Sequence, residues 1–249
     1  MKAIILAAGY ATRLYPLTLN RPKAMLPIGG AAMLDYLVRE MALIPQLDEV
    51  HIVTNHKFAG QFEAWCDEVE RDGRYPGLRF AVWDDGTSST ETRLGAVGDM
   101  QFTIERAQLD DDLLVAASDN FFTFPLRQFT DAFYASGRDM LLAGRIDDVE
   151  TLRRFAVAVL DGEHRVLQLI EKPSEPPSDN GVFALYLYPA RVMRMIRDYL
   201  AQGNSPDAPG NFPVWLVPRL PVYAHVTYKP CFDIGTHESL AHVRSLYGQ

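Results

Sequence analysis

Two cations ten residues apart, Arg13 and Lys23, follow an apolar run that shrinks to Ala7-Ala8-Gly9 at its end. The run from Ala3 reads as a strand buried on both faces. Small side chains after such a strand let a bulky group lie against bare backbone, whose N–H groups can bind phosphate oxygens. Arg13 can fork onto phosphate and Lys23 adds a second positive charge. Together they predict a polyphosphate cradle. Each part also has a plain alternative, a tight turn for Ala-Ala-Gly and solvated surface charges for Arg13 and Lys23. Neither common phosphate motif is present: Ala11 and Leu14 stand where Gly-x-Gly-x-x-Gly needs glycine, and no Gly-Lys-Ser/Thr follows.

Further along, Asp112 to Asn120 is an apolar run closing on the carboxylate Asp119. An acid at that edge can bind a divalent cation, since Mg²⁺ takes one or two carboxylates plus substrate phosphates; it can also be a turn cap. Between Asp84 and Gly98 lies a run of hydroxyl residues, including Thr92, with Gly95 and Gly98 expected inside a helix. Glycine inside a helix costs about 1 kcal/mol relative to alanine, which suggests a close approach. Arg93 is either a phosphate or base contact or a surface charge. Glu171-Lys172-Pro173 precedes a proline-rich turn, and Asp233 stands before Gly235.

Taken together these segments resemble the signature of the sugar-1-phosphate nucleotidylyltransferases, and in particular the glucose-1-phosphate thymidylyltransferases. The resemblance rests on Ala7-Ala8-Gly9-x-Ala11-Thr12-Arg13, Pro16-Leu17-Thr18, Pro22-Lys23, Ser118-Asp119-Asn120, Glu171-Lys172-Pro173 and Asp233-x-Gly235-Thr236-x-x-Ser239-Leu240, in the expected order from Lys2 to Leu240. It implies catalytic roles for Arg13 and Lys23, and nucleotide contacts from Leu6, Ala7, Ala8, Gly9, Arg13, Lys23, Thr92 and Gly95. It also implies acceptor contacts from Glu171, Lys172 and Val182, with Asp119 and Asp233 as ligands of a Mg²⁺ cofactor. The chain departs from the pattern at Ala11, where those enzymes carry Gly. It departs again at Ala156 and at Phe183-Ala184, which replace Gly and Thr-Gly and should narrow or reshape the acceptor pocket.

Bulk properties set the bounds. At 249 residues, 48% hydrophobic and 22% charged, the chain has the makings of one substantial globular domain. A net charge of −8 predicts no general attraction to nucleic acid or anionic membrane. No run approaches the roughly 18 apolar residues of a membrane helix, and the apolar start is too short for a signal peptide core. Cys66 and Cys231 are too few for a disulfide framework or a zinc site, so a cytoplasmic location is expected.

The elements that must hold these residues follow from spacing. Helical stripes at Leu34, Leu37, Val38, Met41 and at Phe58, Phe62, Trp65, Val69 alternate with strands at Glu49–Thr54 and Leu78–Trp83. That order predicts parallel strands joined by right-handed crossovers, with ligands beyond their carboxyl ends. Strands are expected at Asp139–Arg145 and Phe183–Pro189, and Phe155–Asp161 with Arg165–Glu171 reads as a hairpin. A helix is expected over Ala190–Gln202, a strand over Val222–Tyr228, and Thr236 as the N-cap of a last helix.

The reading is a single α/β domain, 1–249, with a mostly parallel Rossmann-like central sheet flanked by helices and antiparallel strands on the acceptor side. Residues 1–120 would carry the nucleotide and 121–249 the acceptor. The implied reaction moves a nucleoside monophosphate from an NTP to a sugar 1-phosphate and releases pyrophosphate. Three alternatives stand: a cytidylyltransferase for a choline- or amino-acid-type phosphate, a non-catalytic regulatory relative, and a glycosyltransferase, against which the absence of Asp-x-Asp at Asp119 argues. The expected partners are an NTP and a phosphorylated small-molecule acceptor, with a homo-oligomer left open and neither nucleic acid nor membrane involved.

Overall fold

The computed structural model of the protein describes residues 1–248. Its first half alternates as the apolar spacing requires. Strand β1 (Lys2–Leu6) is followed by a loop bearing the short ladder β2 (Pro27–Ile28) and β3 (Ala31–Ala32), then α1 (Met33–Met41). The chain continues through β4 (Glu49–Thr54), α2 (Ala59–Arg71), β5 (Arg79–Asp84), α3 (Ala96–Ala107) and β6 (Leu113–Ala117). β4 and β6 flank β1 and β5 flanks β4, all parallel, with Ile5 opposite both Ile52 and Ala116.

The second half comprises β7 (Asn120–Phe122), α4 (Leu126–Ser136), β8 (Asp139–Arg145), α5 (Val149–Leu152), β9 (Ala156–Leu160), β10 (Val166–Glu171) and β11 (Asn180–Tyr188). It ends with α6 (Ala190–Met193), α7 (Met195–Ala201), α8 (Asn211–Leu216), β12 (Val222–Thr227), β13 (Cys231–Asp233) and α9 (His237–Tyr247). The main sheet runs β10-β9-β11-β6-β1-β4-β5, with β8 on the other edge of β11 and β12 beside β8. β11 joins the halves: Leu185 to Tyr188 pair antiparallel with β6, while Gly181 and Val182 pair with β9. The expected hairpin is β9–β10, antiparallel.

Successive side chains of a strand point to opposite faces, and the cores follow that rule. Ala3, Ile5, Leu114 and Ala116 bury one face under α1, α2 and α4; Ile4, Leu113 and Val115 bury the other under α3, α7 and α8. Each fully buried Leu, Ile or Phe contributes about 1.5–3 kcal/mol, so both faces are firmly covered. A third cluster matters most for the site. Leu14, Leu26 and Ile28 from the loop after β1, Phe121 from β7, and Ile234, Leu240 and Val243 from the last segment pack together. It fixes the loop holding Arg13 and Lys23 against the segments holding Asp119 and Asp233.

Three expectations change. Gly95 is not inside a helix but caps α3 at φ +80°, because the Pro206–Asp207 backbone passes too close for a side chain: a Cβ would lie 2.6 Å from the Pro206 carbonyl oxygen. The helix expected over Ala190–Gln202 is two short helices meeting at Arg194. The apolar run from Asp112 to Asn120 is not one continuous strand: β6 stops at Ala117, the chain turns through Ser118-Asp119 and restarts as β7. Among the described residues no helix is long and apolar enough to cross a membrane, and Cys66 and Cys231 are both free thiols.

Candidate active site

β1 leaves the sheet after Leu6. The Ala7 N–H still donates to the Val53 carbonyl at 2.9 Å, and Asn55 Nδ2 donates to the Ala8 carbonyl at 2.9 Å. Ala7 and Ala8 are buried and Gly9 is exposed, so the strand end presents backbone rather than side chains. Ala11 then adopts a left-handed conformation, φ +49°, and starts a 3₁₀ turn over Thr12–Leu14. Buried Thr18 holds that turn by donating to the Ala11 carbonyl at 2.9 Å. Leu14 points into the third cluster, which turns Arg13 outward. A glycine would reach the left-handed region more easily than Ala11 does, at a saving of about 1–2 kcal/mol.

The Arg13 guanidinium lies against the backbone at Gly235, close to Asp233. Lys23 opens a second 3₁₀ turn, and its Nζ lies 2.6 Å from Asp119 Oδ2. The two acids are neighbours because β7 and β13 pair antiparallel, Asp233 opposite Asn120, and the Ile234 N–H donates to the Asp119 carbonyl at 3.0 Å. Asp233 is exposed to solvent. The protein mass around it, then the charge of Asp119, push its carboxyl up to about 6 against the pull of Lys23, Arg13 and Lys172. Like charges held this close favour either a proton or a cation between them. The donor set fits Mg²⁺, which needs only one or two carboxylates when phosphate oxygens and water complete its shell. Among the described residues no group of three or more His, Cys, Asp or Glu side chains forms a closed all-protein metal site.

Beside this centre runs a cleft of about 810 Å³, open to solvent. The strand-end residues Leu6 to Gly9 and the pair Lys23 and Asp119 line one side; Gly95, Asp99, Asp207 and Pro209 line the other. The first N–H groups of α3 do not face it: Ala96 and Val97 donate to the Asp207 and Pro206 carbonyls. Arg93 borders the cleft in a 2.6 Å ion pair with Asp207. Thr92 does not line it; its hydroxyl donates to the Ser89 carbonyl in an exposed turn.

On the other flank, Lys172 sits at the end of β10 with φ +48° and is exposed, within reach of the charges of Glu171 and Asp233. Glu171 is half-buried; burial pushes its carboxyl up and Lys172 pulls it back. Its Oε2 packs so tightly on Gly210 that a Cβ there would lie 2.3 Å away. The Ala156 methyl is the next neighbour, 3.7 Å from where that Cβ would stand, an ordinary contact. Val182 is 3% exposed and belongs to the core beneath, so it supports this wall without presenting a surface. A second, larger hollow lies on the Asp233 side, floored by Phe155 and Phe183, whose rings meet edge to face at 5.2 Å.

Arg13, Lys23, Asp119 and Asp233 therefore converge, with Glu171 and Lys172 at their margin. The sequence did not point to Asn55, whose amide holds the strand end, nor to Asp99 and Asp207; burial distinguishes the first two and position beside the cleft the third.

Known proteins align with this geometry. A family model described as nucleotidyl transferase matches residues 2–249. A mannose-1-phosphate guanylyltransferase of Mycobacterium tuberculosis is 29% identical over 238 residues, 95% of this chain and 61% of that protein. A UTP–glucose-1-phosphate uridylyltransferase of Synechocystis is 27% identical over 243 residues, 94% of this chain and 60% of that one. A crystal structure of UDP-glucose pyrophosphorylase complexed with UDP-glucose superposes with a TM-score of 0.82 at 18% identity, covering 99% of this chain and 97% of that one. The chain spans about half the length of the curated relatives it matches, from 42% to 61%. With the match running over essentially every residue and the fold shared end to end, the chain belongs to the nucleotidyl transferase family.

Proposed function

We propose that this chain transfers a nucleoside monophosphate from an NTP to a sugar 1-phosphate, releasing pyrophosphate. The observation that carries the reading is the convergence of Arg13, Lys23, Asp119 and Asp233 at the carboxyl edge of β1 and β6, beside a cleft with a bare backbone wall.

In this reading the triphosphate lies along Ala7-Ala8-Gly9, where backbone N–H groups and Arg13 hold the phosphates that leave. Lys23 turns from Asp119 to the α-phosphate. Lys172 receives the acceptor phosphate, and Glu171 accepts hydrogen bonds from acceptor hydroxyls. An oxygen of the acceptor phosphate attacks the α-phosphorus; a new P–O bond forms as the bond to pyrophosphate breaks. No side chain needs to act as nucleophile, so positioning and charge neutralisation supply the rate. Asp119 and Asp233 would hold Mg²⁺, which when bound neutralises phosphate charge. A cytoplasmic setting fits an NTP-dependent reaction and two free thiols.

A screen for pyrophosphate release tests the reading. The five common NTPs are paired with a panel of sugar 1-phosphates and, because Ala156 and Phe183-Ala184 depart from the resembled pattern, choline- and amino-acid-type phosphates, all with Mg²⁺. Release with one sugar 1-phosphate is expected. Release only with a non-sugar phosphate moves the acceptor class, and no release with any pair refutes transfer.

A further inference from the structure

Two acids outside the proposed catalytic set lie in the wall of the nucleotide cleft. Asp99, in the first turn of α3, is 5% exposed and lines the cleft. Asp85 follows β5, its N–H tied to the Thr54 carbonyl at 2.9 Å and its Oδ1 accepting from both the N–H and the hydroxyl of Thr87 at 2.7 Å. Asp85 Oδ2 and Asp99 Oδ1 are both buried, and neither has an N–H or hydroxyl donor. The two carboxyls lie near enough for each to act on the other's ionisation. One proton between them answers both orphaned oxygens, whereas two ionised carboxylates buried in contact would repel and lose their solvation.

The connections of this pair reach the rest of the cleft. Thr87 is held by Asp85, and its carbonyl accepts from the Tyr10 hydroxyl at 3.3 Å and the His56 N–H at 3.0 Å. Tyr10 adjoins Gly9 of the phosphate cradle. An unbroken path therefore runs from α3 through Asp99, Asp85 and Thr87 to Tyr10, bracing the 85–95 loop against both the helix and the cradle. We propose that Asp99 and Asp85 share one proton and act as positioning residues that hold the wall of the nucleotide cleft, so that NTP affinity falls when the pair loses that proton on the alkaline side. This rests on the nucleotidyl-transfer reading of the cleft.

The groups facing the pair do not supply a counter-charge. Asp84 is engaged by His56 at 2.7 Å, Arg93 by Asp207 at 2.6 Å, and Glu91 and Tyr10 add only negative charge or a phenol that burial keeps neutral. Burial, then the Asp85 charge, push Asp99 up to about 8, and burial raises Asp85 too. The sign follows from linkage. An acid whose folded pKa lies far above its unfolded value makes the native state bind an extra proton between about pH 4 and 8, so folding stability falls as pH rises through that window. The pair is thus a drain on stability at neutral pH, which favours a role in holding ligand over one in holding the fold.

The test compares the native chain with D99N, whose amide can donate to Asp85 Oδ2 without titrating. D85N is the mirror variant should D99N fold poorly. Thermal stability is measured from pH 5 to 8, and the Kd of the tightest-binding of ATP, GTP, CTP, UTP and dTTP from pH 7 to 9. The expected result is a Tm advantage of the variant that widens towards pH 8. In the native chain Kd should rise roughly tenfold per pH unit above the pair's titration, while the variant's Kd, whatever its value at pH 7, stays flat to pH 9. A constant Tm difference overturns the shared proton. A flat native profile, or the same alkaline loss in the variant, overturns the positioning role. If no nucleotide binds at any pH while the Tm gap widens, the nucleotide cleft reading fails, and the positioning role with it, while the shared proton stands.

Discussion

Lys23→Met isolates the central charge. In the structure Lys23 Nζ is 2.6 Å from Asp119 Oδ2, with side chains 15% and 27% exposed. Removing the ammonium has two separable effects. For the fold, a partly exposed ion pair is worth about 1 kcal/mol or less, which in a domain of this size shifts Tm by about 2–4 °C. For transfer, the charge-assisted hydrogen bond to the α-phosphate is worth about 1.5–3 kcal/mol. At 1.36 kcal/mol per decade that is a fall of about one to two decades in kcat/KM. The assay is initial-rate pyrophosphate release under kcat/KM conditions, run beside a melting curve of the same preparation. A kcat/KM within about threefold of native would refute the placement of Lys23 at the phosphate. So would a loss of rate accompanied by a Tm drop several times that expected, since unfolding would then explain it.

Other outcomes follow from the same geometry. Asp119→Asn leaves the backbone bond to Ile234 intact but cannot help hold Mg²⁺ beside phosphates, so kcat should fall by orders of magnitude with Tm little changed; retention of more than about a tenth of the activity, or 1.36 kcal/mol of barrier, argues against it as a ligand. Arg13→Ala should weaken binding of nucleotide alone, whereas Lys172→Ala should bind nucleotide nearly normally and raise the KM of the acceptor by about one to two decades. Equal damage to nucleotide binding by calorimetry would mean that Lys172 does not belong to the acceptor. Tyr188→Phe removes a buried hydroxyl that has no hydrogen-bond partner and leaves the ring stacked on Tyr186 at 5.8 Å. Relief of about 1–3 kcal/mol of desolvation should raise Tm by several degrees, and a lowered Tm would show that the hydroxyl is satisfied in solution.

How far the sequence could be read depended on whether a feature is local. Glu49–Thr54 and Asp139–Arg145 are strands over those residues because unbroken apolar runs between turn signals leave little choice. Leu126–Ser136 is a helix without a capping signal: it starts behind Pro125 with no side-chain cap and buries Leu126, Phe129 and Phe133. Gly95 was recognisable as a glycine with a purpose, but the purpose is the backbone at Pro206, over a hundred residues away. Thr92 and Val182 illustrate the limit of motif transfer, one turned into its own loop and the other into the core. The acids Asp85 and Asp99 could not be separated from ordinary surface acids, because what sets them apart is mutual burial. Asp119 and Asp233 were identifiable one by one through their motifs, while their adjacency depends on a three-residue ladder that no local pattern announces.

That ladder has a consequence for how the protein can be altered. Because Asp119 and Asp233 are held together by main-chain bonds between β7 and β13, their separation is a property of strand register and not of the side chains around them. A slip of one residue in β13 would put Phe232 where Asp233 stands and turn the carboxylate to the opposite face. The far wall of the cleft, by contrast, comes from Arg93, Gly95, Asp99, Asp207 and Pro209, none of which belongs to the ladder. In the proposed reading, the far-wall segments can be exchanged to retune the substrate while the spacing of the two acids stays fixed, so long as no insertion shifts β13 against β7.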